Sequence, residues 1–189
     1  MNELKVLSYD LRKHVVDMII AGKGGHIGGD MSVMEILVEL YMKQMNISPE
    51  NKELDNRDRF VLSKGHSVES YYAVLAKKGF FPMEEVISTF SQFGSKFIGH
   101  PNNKLPGIEM NSGSLGHGLP VCVGMAMAGK MDRKDYRVYV VMGDGELAEG
   151  SVWEGAMAAS HYCLDNLCAV VDRNRLQISG CTEDVMGHD

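Results

Sequence analysis

Residues 136–180, YRVYVVMGDGELAEGSVWEGAMAASHYCLDNLCAVVDRNRLQISG, decide how the rest of the chain is read. Val138–Met142 is short, β-branched and almost free of polar residues, which predicts a buried strand of a parallel sheet. The run stops at Gly143-Asp144-Gly145. Two glycines let the backbone turn sharply and approach a bulky anion, while the carboxylate between them is left beyond the strand's carboxyl end. A small-residue helix from Ser151 to about His161 follows, then a second apolar run, Leu167–Val171, and then Asp172-Arg173-Asn174-Arg175-Leu176-Gln177. In a right-handed βαβ unit the ends of the two strands lie side by side, which predicts that Asp144 and Asn174 are neighbours. One carboxylate and one side-chain amide are hard oxygen ligands, suited to Mg²⁺ or Ca²⁺ with positions left for diphosphate oxygens and water.

Composition narrows the function classes. The 189 residues suffice for one domain with a substantial core, and the expectation is a single domain over 1–189. A formal net charge of −6 argues against non-specific nucleic-acid binding, because no basic excess is available to neutralise phosphates. No apolar window is long enough to span a bilayer, and the N-terminal MNELKVLSYDLRKHVVDMII carries charges throughout, unlike a signal peptide. The expected location is the cytoplasm, with neither a membrane nor a nucleic acid as partner. Cys122, Cys163, Cys168 and Cys181 show no metal-finger spacing, and Cys122 and Cys163 read as small apolar residues in helices.

In chain order, Leu4, Leu7, Leu11, Val15, Met18 and Ile19 recur at helical spacing from about Asn2 to Ala21. The glycine-rich Gly22–Gly29 ends that helix, and Asp30 or Ser32 is expected to cap the next, Ser32 and Glu35 standing at capping-box spacing. The loop is either a plain linker or a segment that holds the His26 imidazole towards a ligand. Arg59–Ser63 reads as a short strand that turns through Lys64-Gly65-His66 into a helix over 68–77. A helix N-terminus after such a turn offers orphan N–H groups and a dipole to an anion, with Lys64 or His66 as candidate contacts and a solvated turn as the plain alternative. A helix over 83–90 is followed by 91–114, which lacks periodicity and reads as a long loop. Gly113-Ser114-Leu115-Gly116-His117-Gly118 then opens a helix over 119–131, its glycines permitting close approach of an aromatic ring. The small-residue faces of that helix and of the one bearing Trp153 suit tight internal packing and a subunit interface equally.

Together these residues resemble a known family. GDG, the small-residue helix, the second strand and Asn174 resemble the thiamine diphosphate (ThDP) and Mg²⁺ motif of ThDP enzymes, and GDGELAEGSVWEGAMAAS with DRNRLQISG resembles transketolase. GHIGG at His26 and GHP at His100 are similar to that family's substrate-facing segments, with Ile27 where proline is usual. The resemblance implies an α/β fold, a parallel sheet flanked by helices forming the diphosphate-binding domain, shortened at its C-terminal end. It implies that Asp144, Asn174 and the Leu176 carbonyl hold Mg²⁺ (or Ca²⁺). His66, Gly113, Ser114, Leu115, Gly145 and Asn174 would hold ThDP, and His26 and His100 would serve the sugar hydroxyls as catalytic acid–base groups. Ser114 and His117 stand where proline and glutamine are common, which bears on substrate preference more than on the cofactor. Glu149 would lie behind the metal ligands or at a subunit contact.

The pyrimidine-binding domain, which supplies the glutamate that activates the cofactor ring, is absent from these residues. The expected protein is therefore the N-terminal subunit of a split transketolase of the pentose phosphate type, inactive alone. It would form a dimer of heterodimers with a C-terminal partner and move a two-carbon ketol unit between sugar phosphates. Rival expectations are a relative acting on apulose phosphate or a sulfo-sugar, and a chain that folds without binding cofactor. A synthase joining pyruvate to glyceraldehyde phosphate fits GHIGG and GHP less well.

Overall fold

The expected strand at Val138–Met142 is the centre of a three-stranded parallel sheet. The computed structural model describes residues 3–178 and 180–187; Asn2 and Ser179, which the expected first helix and the DRNRLQISG segment include, lie outside them. The chain divides into two compact units, Met1–Leu54 with Gly65–Asn111, and Asp55–Lys64 with Ser112–Asp189.

The second unit holds the sheet, in the order β1 (Arg59–Leu62), β2 (Val138–Gly143), β3 (Leu167–Asp172). Val138, Val140 and Val141 are fully buried, as the apolar run requires of a central strand. Helix α5 (Gly118–Met131) packs on all three strands, and α6 (Gly150–His161) connects β2 to β3. Gly143 pairs with Asp172, so β2 and β3 end level. Among the described residues β3 is a sheet edge, and its Val171 is 38% exposed, so the second apolar run is buried less fully than the first. A short antiparallel pair, β4 (Leu176–Gln177) and β5 (Gly180–Cys181), and helix α7 (Thr182–Met186) complete the unit.

Across the carboxyl edge of the sheet runs a buried ion pair. Lys64 Nζ, just past β1, lies 2.5 Å from Asp172 Oδ2 at the end of β3, both side chains almost wholly enclosed. A Cβ built on Gly143 would meet Lys64 Cβ at 3.9 Å, so the lysine lies over the glycine that ends β2. One side chain thus ties the two outer strands over the middle one. Committed to Asp172, Lys64 is a structural cation before it is a phosphate ligand.

The first unit is helical: α1 (Glu3–Gly22), α2 (Ile27–Glu39) widening into a π-helical turn at Leu40–Gln44, α3 (Val68–Lys78) after a 3₁₀ turn at Gly65–Ser67, and α4 (Met83–Thr89). Leu11, Val15 and Met18 of α1 and Val33, Met34 and Leu37 of α2 are buried at helical spacing. Gly79, at φ +100°, ends α3 in the left-handed conformation that glycine adopts without strain.

The structure corrects the expected start of α2. The helix begins at Ile27 with His26 at its N-cap, drawing Gly28 and Gly29 into its first turn rather than leaving them in a loop. Ser32 is not the N-cap: it lies inside the helix, where its hydroxyl donates to Gly29 O at 3.1 Å. Glu35 instead takes a two-pronged ion pair from Arg12 of α1, 2.5 Å on each side, and Arg12 also donates to Met31 O. Long-range pairing won over the local capping box, and Asp30, the other expected cap, is buried. Cys163 is also corrected: it sits past the end of α6 at φ +50° and is exposed.

Removing one partner of the Lys64–Asp172 pair leaves a buried charge unmatched, at a cost of about 3–5 kcal/mol. Lys64→Met is expected to lower the melting temperature of the chain sharply, and Lys64→Met with Asp172→Leu to recover most of the loss. Thermal unfolding followed by circular dichroism checks both.

Candidate functional site

The level ends of β2 and β3 bring together Asp144, Gly145, Asn174 and Leu176, as the βαβ reading requires. Asp144 is 3% exposed, and its carboxylate binds backbone on both sides. Oδ1 accepts from Gly145 N at 3.0 Å, and Oδ2 accepts from Arg175 N at 2.7 Å, which pins the turn after β3 to the turn after β2. Asp144 N donates to Asp172 O at 3.3 Å, and Asn174 Oδ1 accepts from Leu176 N at 2.9 Å. Each of these oxygens keeps a lone pair beyond the bond it accepts. Gln177 Oε1 is buried with no hydrogen-bond partner, and the Gln177 side chain lies where a Cβ on Gly145 would stand, 2.9 Å from its Cγ. Hard oxygens plus an orphaned buried acceptor beside them fit a divalent hard cation. Among the described residues no group of three His, Cys, Asp or Glu could hold a metal, and the expected set, one carboxylate, one amide and one carbonyl, is of a different make.

A residue passed over in the sequence organises the same edge. Glu146, 2% exposed, accepts from Gly116 N at 2.8 Å and from the Ser63 hydroxyl through Oε1, and from Gly143 N at 3.1 Å through Oε2. Ser63 Oγ in turn accepts from Gly118 N at 3.1 Å, and the Ser112 hydroxyl donates to Leu62 O at 2.6 Å. These bonds fasten the segment bearing Gly113, Ser114 and Leu115 to the ends of β1 and β2. A Cβ on Gly118 would overlap Ser63 Oγ, and one on Gly116 would meet Glu149 Cβ at 2.7 Å, so the glycines serve close packing of this segment. Ser114 Oγ pairs with His117 Nδ1 at 3.2 Å. Glu149 is exposed at the N-cap of α6. The signal for Glu146 was its place two residues after Asp144, in the turn that follows β2.

In the first unit three histidines meet. The His26 ring lies 5.6 Å from that of His66 and 5.8 Å from that of His100, both edge-on. His26 is exposed and the other two are half-buried. The long loop carrying His100 is held from below by Tyr72, whose hydroxyl donates to Ile98 O at 3.0 Å and His100 O at 3.1 Å. Phe81, Phe90 and Phe97 surround the Tyr72 ring edge-on, and burial raises its hydroxyl pKa. Burial, then the neighbouring His26, lowers the His100 pKa below its usual 6.5. A neutral imidazole at neutral pH can accept a proton or a hydrogen bond from a hydroxyl.

Behind His26 lies a second feature that sequence reasoning did not find. Glu69 Oε1 accepts from His26 N at 3.2 Å, and Asp30 Oδ1 accepts from Ser70 N at 2.8 Å, both carboxylates fully buried. Burial, then the Glu69 charge beside it, raises the Asp30 pKa to about 8.

A parallel α/β sheet with a carboxylate and an amide at its carboxyl edge defines a domain of the class that seats ligands beyond the strand ends. The chain belongs to the transketolase family: residues 5–189 match the family "Transketolase, thiamine diphosphate binding domain". It is 54% identical over 183 residues to an apulose-4-phosphate transketolase subunit of Phocaeicola vulgatus, covering 97% of this chain and 65% of that protein. It is 44% identical over 162 residues to the 6-deoxy-6-sulfo-D-fructose transketolase subunit SqwG of a Clostridium species, covering 85% of this chain and 58% of that one. The chain therefore spans less than two thirds of the length of these relatives. Transketolase from Campylobacter jejuni superposes on all of this chain with a TM-score of 0.92 at 32% identity, over 31% of its own length.

Glu146→Ala would strand the buried N–H groups of Gly143 and Gly116, at about 1–3 kcal/mol each. The variant is expected to unfold at correspondingly lower denaturant concentration, with the amides of 113–118 losing protection in hydrogen exchange. The lowered His100 pKa costs the native state stability as pH falls below 6.5, because the unfolded chain takes up that proton first. An NMR titration of the histidine rings is expected to show His100 still neutral at pH 6.5, and its pKa rising in His26→Ala.

Proposed function

We propose that this chain holds the diphosphate end of ThDP through Mg²⁺ and serves a two-chain transketolase, in which a partner polypeptide completes the site. The observation that carries the reading is the pairing of Asp144 with the Asn174 turn through Arg175 N at level strand ends. Asp144, Asn174 and the Leu176 carbonyl would hold the cation. Gly145, His66 and the Gly113–Leu115 segment would hold the cofactor. When bound, ThDP supplies the nucleophilic carbon and the electron sink for breaking and forming carbon–carbon bonds. This chain's share is to fix the diphosphate, to give the cofactor an apolar backbone seat at Leu115, and to exchange protons with substrate hydroxyls at His26 and His100. The reaction is transfer of a two-carbon ketol unit from a ketose phosphate to an aldose phosphate.

The finer reading of substrate is apulose 4-phosphate. Two relatives named for that sugar support it, the second being 45% identical over 179 residues in Actinobacillus succinogenes. Both are named as one subunit of their enzyme, which supports a second polypeptide here too. That polypeptide would be a pyrimidine-binding half that brings the activating carboxylate.

With the partner present, Asp144→Ala is expected to abolish Mg²⁺-dependent ThDP binding and all turnover. His26→Ala should instead raise KM for the sugar roughly tenfold or more, on the scale of a lost hydrogen bond to a charged or polar partner, with ThDP affinity near normal. Steady-state kinetics with apulose 4-phosphate and with xylulose 5-phosphate, alongside cofactor titration, checks both residues and substrate. Equal loss of ThDP in the two variants would overturn the division of labour, and steady turnover by the chain alone would overturn the two-chain reading.

A further inference from the structure

We propose that Asp30 and Glu69 form a buried carboxyl pair holding one proton between them, and that this pair positions His26 by gripping its backbone N–H. Neither acid reaches solvent, so neither can touch a substrate directly. Their outward bonds are fixed: Asp30 Oδ1 takes Ser70 N, the Ser70 hydroxyl returns to Asp30 O at 2.9 Å, and Glu69 Oε1 takes His26 N. The remaining oxygens, Asp30 Oδ2 and Glu69 Oε2, are buried with no hydrogen-bond partner. Two adjacent carboxylates can only accept, and like charges so close cannot both ionise cheaply. A single proton between them satisfies both oxygens and removes one charge. The chain is shaped around this arrangement: a Cβ on Gly25 would overlap Glu69 Oε1 and meet Ile19 Cγ1 at 2.6 Å, so the glycine lets the backbone before His26 lie close against the carboxylate.

The electrostatics agree with the geometry. Burial, and then the Glu69 charge, raise Asp30 to about 8. The other titratable groups that meet this cluster are His26, His66, His100, Tyr72, on whose hydroxyl the Glu69 charge acts, and, just past the end of α1, the exposed Lys23; Arg12 and Glu35 hold each other. Below about pH 8 Asp30 keeps its proton and the His26 N–H is held. As Asp30 ionises, Glu69 is repelled and its grip on His26 loosens. The stability consequence has a definite sign. Asp30 holds its proton in the native state between about 4 and 8 but not in the unfolded chain, so its contribution is full below about pH 4 and is lost progressively up to pH 8.

The test is NMR of the full chain with labelled histidine, from about pH 6 to 9.5, on wild type, Asp30→Asn and Glu69→Gln. The wild-type His26 backbone amide is expected to shift with an inflection near pH 8, separate from the ring titrations. Asp30→Asn, which keeps the Ser70 bond and offers Glu69 a permanent N–H, should abolish that inflection and stay folded, gaining melting temperature over wild type as pH rises from about 5 to 8. Glu69→Gln should move the inflection to lower pH by removing the neighbouring charge. Persistence of the inflection in Asp30→Asn, or indifference of the His26 amide to both substitutions, overturns the proposal. That a positioned His26 serves a sugar rests on the function proposed above, and a separate readout tests it: in the assembled enzyme Asp30→Asn should lose the alkaline fall in kcat/KM. If the NMR effects hold and no transketolase activity is found, the pair stands and the functional reading fails.

Discussion

The carboxylate of Asp144 spans the two turns on which the candidate cation site depends. One oxygen caps its own turn through Gly145 N and the other holds the turn after β3 through Arg175 N. Level ends of β2 and β3 make this possible, because Gly143 and Asp172 share a register position. Lys64 defends that register by pairing with Asp172 across Gly143 in an enclosed setting where a broken pair is far more costly than a surface one. Glu146 completes the edge by satisfying the Gly143 and Gly116 N–H groups with one buried carboxylate. Three acids therefore occupy one sheet edge in different roles: Asp172 neutralises a lysine, Glu146 satisfies backbone, and Asp144 faces the turns with lone pairs to spare.

The first unit brings three imidazoles close together. His100 is held neutral by burial and by His26, and its loop is fixed through backbone carbonyls by the Tyr72 hydroxyl rather than through the ring itself. His26 is held through its backbone N–H in the same manner, by Glu69. In both cases the ring is left unencumbered while the main chain is anchored. That is the arrangement an exchangeable proton site needs, since a ring nitrogen engaged inside the protein is not available to a ligand.

How much of this is legible in the sequence follows from the range of each interaction. The strand Val138–Met142, the helix after the GDG turn and the aligned Asp144 and Asn174 can be read because apolar runs and glycine turns act locally and the βαβ rule does the rest. The start of α2 cannot. Ser32 and Glu35 have a capping box's spacing, but Glu35 meets Arg12 from another helix, a partner that no local pattern names. Glu146 and Glu69 escape the sequence for the same reason: such a glutamate looks like a solvated side chain until the N–H groups it satisfies, in Gly116 and His26, are brought to it by the fold. Asp30 has the local look of a helix cap, whereas its carboxyl bonds α3 instead. The family resemblance points to the histidines and the strand-end ligands, and assigns no role to Glu146, Glu69 or Asp30.

The central claim is that the paired ends of β2 and β3 seat a cation that bridges to a diphosphate. The most direct measurement is anomalous diffraction from crystals of the chain grown with Mn²⁺, standing in for Mg²⁺, and ThDP. The account predicts one strong manganese peak bonded to Asp144, to the Asn174 side chain and to the Leu176 carbonyl at about 2.0–2.2 Å, as expected for small hard cations, with diphosphate oxygens completing its shell. ThDP bound with its diphosphate away from Asp144, or manganese ligated by other residues, would contradict it.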